Sequence, residues 1–283
     1  MRIIHSSKEM QNAALELRRA GRRIGFVPTM GYLHEGHLSL VRLAQQHADV
    51  VVLSLFVNPT QFGPQEDFSK YPRDFARDEA LCRDARVDIL FNPTPEDMYP
   101  EGHSTFVEEN ALSRGLCGAS RPGHFRGVAT VVAKLFNIVL PDVAVFGEKD
   151  AQQLRVIRRM TRDLGFGVRI IPGPTLREPD GLAMSSRNKY LGPEERIQAL
   201  VLKRSLDKAV ALYGTGERRA EVLHTAMVAM LKSAPLARID YVEIVDDETL
   251  ERVTVIERPA LVALAVFIGK TRLIDNVVLR QPT

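Results

Sequence analysis

The chain has 283 residues, longer than the ~250 at which a single hydrophobic core usually stops growing, so two unequal domains are expected. Thirty-eight Lys and Arg against 35 Asp and Glu leave a formal charge of +3, which is no nucleic-acid footprint. The two cysteines, Cys82 and Cys117, are too few for a disulfide framework, and the two longest apolar runs, 50–57 and 260–268, fall far short of the ~20 residues that span a bilayer. Residues 1–8 lack the apolar centre of a secretory signal, so a cytosolic protein is expected.

In chain order, Ser6 or Ser7 caps a helix ending near Gly21, and strands at 23–27 and 50–56 flank a helix whose apolar stripe is Leu38, Val41, Leu43 and Ala44. Pro28 and Gly31 break the first of these strands. A helix at 73–85, a strand at 87–91, a helix at 127–140, a strand at 143–146, a helix at 151–164 and a strand at 168–171 follow. This alternation predicts a Rossmann-like, doubly wound parallel sheet whose ligands sit beyond the carboxyl ends of its strands. After Pro172 and Pro174 the rhythm changes to helices at 193–213 and 218–232 and strands at 239–245, 261–268 and 273–279. The expected division is therefore a nucleotide-binding domain at 1–175 and a smaller α+β domain at 176–283.

The loops after these strands carry the chemistry. Between the first βα pair stand His34 and His37, three apart at a helix start, so they share a face where unpaired N–H groups and the helix dipole favour an anion. Gly36 between them leaves room for a phosphate to approach the backbone. Alone, the pair also fits two surface histidines or half a zinc site, the zinc reading ranking lower because structural zinc takes about four ligands and His5, His47, His103, His124 and His224 are scattered. After 50–56, Asn58 and Gln61 offer amides able to donate to and accept from a substrate. After 143–146, Gly147, Glu148, Lys149 and Asp150 lead into Gln152 and Gln153; Lys149 can neutralise phosphate, while Asp150 as an N-cap beside a solvated Lys149 is the plainer alternative. Residues 118–127, dense in Gly and cations, read as an anion loop or as solvated turns. At the domain junction Met184, Ser185, Ser186, Arg187 and Asn188 put two hydroxyls beside a guanidinium on a loop able to close over phosphates.

The His pair and the Met-Ser-Ser-Arg loop together resemble the two-part signature of the nucleotidyltransferase superfamily that includes class I aminoacyl-tRNA synthetases, with Arg187 where those enzymes usually have Lys. With Pro28-Thr29-Met30-Gly31, Phe56-Val57-Asn58-Pro59, Ser120-Arg121-Pro122-Gly123-His124-Phe125 and Phe146-Gly147-Glu148-Lys149-Asp150 in the same order, nearly the whole chain resembles the pantothenate synthetase (pantoate beta-alanine ligase) family. The resemblance implies ATP-dependent, AMP-forming condensation of pantoate with beta-alanine through a pantoyl adenylate, by a cytoplasmic homodimer, with Mg2+ carried by the ATP phosphates and no protein ligand named for it. By the same resemblance His34, His37, Lys149 and Arg187 are catalytic. Met30, Gly31, Tyr32, Leu33, Glu35, Gly36, Gly147, Glu148, Asp150, Leu176, Met184, Ser185 and Ser186 join them around ATP, and Gln61, Gln153 and Asn58 bind the other substrates. The rival readings are a pantetheine-phosphate adenylyltransferase, a synthetase-like enzyme acting on tRNA, and a catalytically idle nucleotide-binding module.

Overall fold

The computed structural model describes residues 1–64 and 66–281, so the last two positions of the expected 176–283 domain lie outside the described residues. The elements are, in order, β1 (Arg2–Ile4), α1 (Ser7–Arg19), β2 (Ile24–Thr29), α2 (Glu35–Gln45), β3 (Val50–Leu55), α3 (Phe75–Asp84), β4 (Ile89–Phe91), α4 (Pro95–Met98), α5 (Leu116–Ser120), α6 (His124–Val139), β5 (Val143–Gly147), α7 (Ala151–Asp163) and β6 (Arg169–Gly173). Then come α8 (Pro193–Ala199), α9 (Val201–Gly214), α10 (Ala220–Lys232), β7 (Ala237–Asp246), β8 (Ala260–Ile268) and β9 (Thr271–Leu279).

Strands β1 to β6 form one parallel sheet in the order β1-β4-β3-β2-β5-β6. The chain winds outward from β2 in one direction through β3 and β4, then resumes on the other side of β2 with β5 and β6. The switch point therefore lies between β2 and β5, where open α/β sheets bind ligands at the strands' carboxyl ends. On one face Leu40, Val41 and Ala44 of α2 and Cys82 of α3 pack on Val27, Val51, Leu53 and Leu90. Ser6 is the N-cap of α1, its hydroxyl accepting from Glu9 N.

Four local readings are corrected. Strand β2 runs through Pro28 to Thr29: Pro28 pairs only with Ser54 of β3, because β5 pairs no further along β2 than Phe26, so the missing N–H breaks no ladder on that side. Strand β6 likewise runs through Pro172 as an edge strand. The edge strand β1, too short to show a period, was not anticipated. The single helix expected over 193–213 is two, α8 and α9, meeting at Leu200.

The chain clusters into two compact units, and their membership is not continuous in sequence: Asn110–Ser120 and Lys149–Gln152 belong with the segment that starts at Thr175. The reason is the β7-β8-β9 antiparallel sheet. Helices α8, α9 and α10 cover one face, with Leu202, Leu206, Leu223, Met227 and Leu231 against Val242, Ile244, Val262, Leu264 and Val266. Leu116 of α5 and Ala151 cover Val245, Leu261 and Ala263 on the other. With both faces covered, central strand β8 is apolar almost throughout, as a strand buried on two sides must be.

Candidate active site

In the first unit the His-bearing loop is built from the end of β2 outward. Thr29 Oγ1 donates to Ser54 O (2.7 Å) and accepts from Gly31 N (3.2 Å), closing the strand end. Gly31 (φ +82°) and Tyr32 (φ +50°) are both left-handed, so the chain turns sharply and aims successive N–H groups inward. Those of Tyr32 and Leu33 donate to the Asp78 carboxylate at 2.6 and 2.7 Å. Asp78, only 2% exposed in the first turn of α3, thus clamps the turn that delivers the histidines. A Cβ on Gly31 would stand 3.1 Å from Asp78 Oδ2, so this position has little space for a side chain.

His34 is the N-cap of α2 in extended conformation, and His37 lies one turn on. The backbone N–H of His34 donates to His37 Nδ1 (3.3 Å), which places the proton of a neutral His37 on Nε2, and the two rings lie with centroids 4.0 Å apart, tilted by 36°. The arrangement presents an imidazole N–H donor at a helix N-terminus. Glu35, in the first turn of α2, is exposed and pairs with Arg42.

Burial, the largest influence, pushes the Asp78 carboxyl above the usual range, opposed by the Leu33 and Tyr32 N–H groups and by Arg77. A carboxyl whose folded pKa is raised holds its proton more tightly folded than unfolded, so its share of stability falls as pH rises past the ordinary carboxylate range. The two Asp78 oxygens each accept one of the N–H bonds. In Asp78→Asn one donor faces an amide NH2, and a stranded buried donor costs about 1–3 kcal/mol. We expect a KM for ATP raised on the order of 10-fold and a KM for the acid substrate within about twofold. An unchanged ATP KM would remove Asp78 from the site.

Beyond β3, Asn58 caps a 3-10 turn, Pro59–Gln61, by accepting from Thr60 N (3.3 Å). Its Oδ1 also accepts from Tyr99 Oη (2.8 Å), while Nδ2 donates to Gln61 Oε1 and Gly127 O (3.1 Å each). Asn58 is 1% exposed and holds the Gln61 side chain. Gln61 Nε2 reaches Met30 Sδ at 3.1 Å, bringing the loops after β2 and β3 together. Gln153 is half-buried in α7, whereas Gln152 is buried and spent on Cys117 N (2.9 Å), Leu112 O and Gly115 O (both 2.8 Å).

Gly147 ends β5 and Glu148 begins a 3-10 turn, Glu148–Asp150, that runs into α7. In the second unit Lys149 O accepts from Asn276 Nδ2 (2.9 Å). Met184 N donates to Leu176 O (3.0 Å), so Leu176 and Met184 form the open end of a small hairpin. That hairpin is pinned by Arg177, whose guanidinium grips the buried Asp275 carboxylate at 2.7 and 3.0 Å.

Adjacent residues of β9, Asp275 and Asn276, therefore tether both the Lys149 segment and the Leu176–Met184 hairpin. Ser185 caps a 3-10 turn, Ser186–Tyr190, its hydroxyl accepting from Arg187 N (3.2 Å); this stretch was expected to be open loop.

The cation-rich 118–127 segment spans the end of α5, a turn and the start of α6. Arg121, in the turn between those two helices, is committed to Glu66 (2.5 and 2.7 Å). Arg126 stacks on Phe106 at 3.9 Å. Burial alone would raise the Glu66 carboxyl, but Arg121 and the Gly63 N–H outweigh it and hold the group at about 2. Sequence reasoning missed Asp78, Glu66 and Asp275: each acts on residues tens of positions away, and nothing local marks them. Among the described residues no cluster of three or more His, Cys, Asp or Glu side chains is placed to hold a metal ion.

The family model described as Pantoate-beta-alanine ligase matches residues 2–278. The chain belongs to that family. Among its relatives, the pantothenate synthetase of Thermotoga neapolitana is 60% identical over 279 residues, covering 99% of this chain and 100% of the relative. That of Thermosipho africanus is 56% identical over the same shares. The solved pantothenate synthetase of Thermus thermophilus superposes with a TM-score of 0.93 at 48% identity, over 98% of this chain and 99% of the other. The pantoate-beta-alanine ligase of Francisella tularensis, solved with beta-gamma ATP and beta-alanine, gives 0.82 at 35% identity, over 98% and 97%. This pantoate-beta-alanine ligase membership favours the acid-amine ligase over the adenylyltransferase reading.

Proposed function

We propose that the chain joins pantoate to beta-alanine at the expense of ATP, through a pantoyl adenylate. The observation that carries this reading is the close His34–His37 pair at the amino end of α2, beside the switch point of the sheet, in a chain matched by the ligase family over nearly its whole length. A relative solved with beta-gamma ATP and beta-alanine supports the choice of substrates.

A pantoate carboxylate oxygen attacks the α-phosphorus of ATP, the bond to the bridging oxygen breaks, and pyrophosphate leaves with the electron pair. The beta-alanine amine then attacks the acyl carbon, AMP departs, and the nitrogen loses a proton. His37 donates through Nε2 to the charge that develops on the departing phosphates, with His34, Lys149, Ser185, Ser186 and Arg187 as further donors or cations. Such transfer depends chiefly on positioning and on charge stabilisation. Met30, Gly31, Tyr32, Leu33, Glu35, Gly36, Gly147, Glu148, Asp150, Leu176 and Met184 line the nucleotide. Gln61, held by Asn58, and Gln153 take pantoate. Mg2+ arrives on the ATP phosphates. The working form is a cytoplasmic homodimer.

Product analysis tests the reading. With ATP, pantoate and beta-alanine, AMP and pyrophosphate should appear in equal amounts with pantothenate. ADP and inorganic phosphate would point to an acyl phosphate and overturn it.

A further inference from the structure

The Arg121-Pro122-Gly123-His124 stretch has no part in the chemistry above, yet it is built around Gln61. The main-chain carbonyl of Gln61 accepts from His124 Nδ1 at 2.8 Å and from Arg121 Nη2 at 3.3 Å. Arg121 Nη1 lies 3.0 Å from His124 Nε2, and because a guanidinium can only donate, Nε2 is the acceptor and Nδ1 carries the proton. The same tautomer satisfies both contacts. Glu66 closes the ring, accepting from Arg121 Nε and Nη2 at 2.5 and 2.7 Å and from Gly63 N at 3.1 Å. One turn further along α6, Gly127 packs against the backbone of Thr60 and Gln61 and its carbonyl accepts from Asn58.

From this geometry we infer that Glu66, Arg121 and His124 are positioning residues for the acid substrate, acting through Gln61. The clamp fixes the backbone of Gln61 while Asn58 fixes its side chain, so the amide meets pantoate already oriented. Pre-orientation of this kind lowers the ordering cost of binding. The inference rests on the assignment of Gln61 to pantoate, and the test separates the two.

Steady-state constants are measured for Gln61→Ala, His124→Ala, His124→Asn, Arg121→Ala and the double variant Gln61→Ala/Arg121→Ala, with thermal unfolding recorded for each. His124→Ala and Arg121→Ala should raise the KM for pantoate on the order of 10-fold and leave that for ATP within about twofold. His124→Asn, whose amide N–H replaces Nδ1, should restore most of the loss. In the Gln61→Ala background, Arg121→Ala should add little, because its effect runs through the amide already removed. A pantoate KM raised by Gln61→Ala but untouched by His124→Ala and Arg121→Ala, or effects that add in full, would overturn the clamp and leave Gln61 on pantoate. An unchanged pantoate KM in Gln61→Ala would overturn both assignments. Should Arg121→Ala not fold, Arg121→Lys, which keeps the charge and loses the fork, carries the same comparison.

Discussion

Replacing His37 with Ala is expected to slow adenylation by roughly 10²–10⁴ while leaving amine attack on supplied pantoyl adenylate much less affected. The asymmetry follows from where the imidazole stands. His34 N occupies His37 Nδ1, so the neutral ring keeps its proton on Nε2 and can donate it only to a group approaching that nitrogen. Charge builds on the departing pyrophosphate in the first half-reaction, and no pyrophosphate is present in the second. Single-turnover measurement of each half-reaction checks this. Equal losses in both would make His37 a structural or general binding residue.

Gly127→Ala should be damaging although Ala is the better helix former by about 1 kcal/mol. A Cβ at this position would overlap the Thr60 carbonyl oxygen and stand 2.7 Å from Gln61 Cα, and backbone atoms cannot rotate aside as a side chain could. The 3-10 turn must retreat from α6, weakening the Asn58 bond to Gly127 O and the clamp on the Gln61 carbonyl. Overpacking of this kind costs about 1–3 kcal/mol. Denaturant unfolding should show that loss, with a pantoate KM raised on the order of 10-fold and an ATP KM within about twofold. A stabilised variant with unchanged pantoate KM would contradict the described packing.

Five strands of the parallel sheet were legible because they are short apolar runs alternating with helices that carry a stripe at their own period; the α6 stripe from Val128 to Val139 is buried along its length. The loops proposed to face phosphate were legible because Gly, Pro and His interrupt those runs at strand ends. What escaped depends on partners distant in sequence. Arg121 reads as a free cation until Glu66 is brought beside it, and Asp78 reads as one more acid of a surface helix until Tyr32 and Leu33 turn their N–H groups onto it. The recruitment of Leu116 and Ala151 to the second unit has no local signal either, because the apolar face they cover is made by strands more than 80 residues away.

The most direct test of the adenylate route is exchange of labelled pyrophosphate into ATP with pantoate present and beta-alanine absent. Label should enter ATP under those conditions and should fail to enter when pantoate is withheld, because pyrophosphate must leave and return before any amine attacks. No exchange from an enzyme that makes pantothenate once beta-alanine is added, or equal exchange without pantoate, would contradict a freely reversible pantoyl adenylate as the first product.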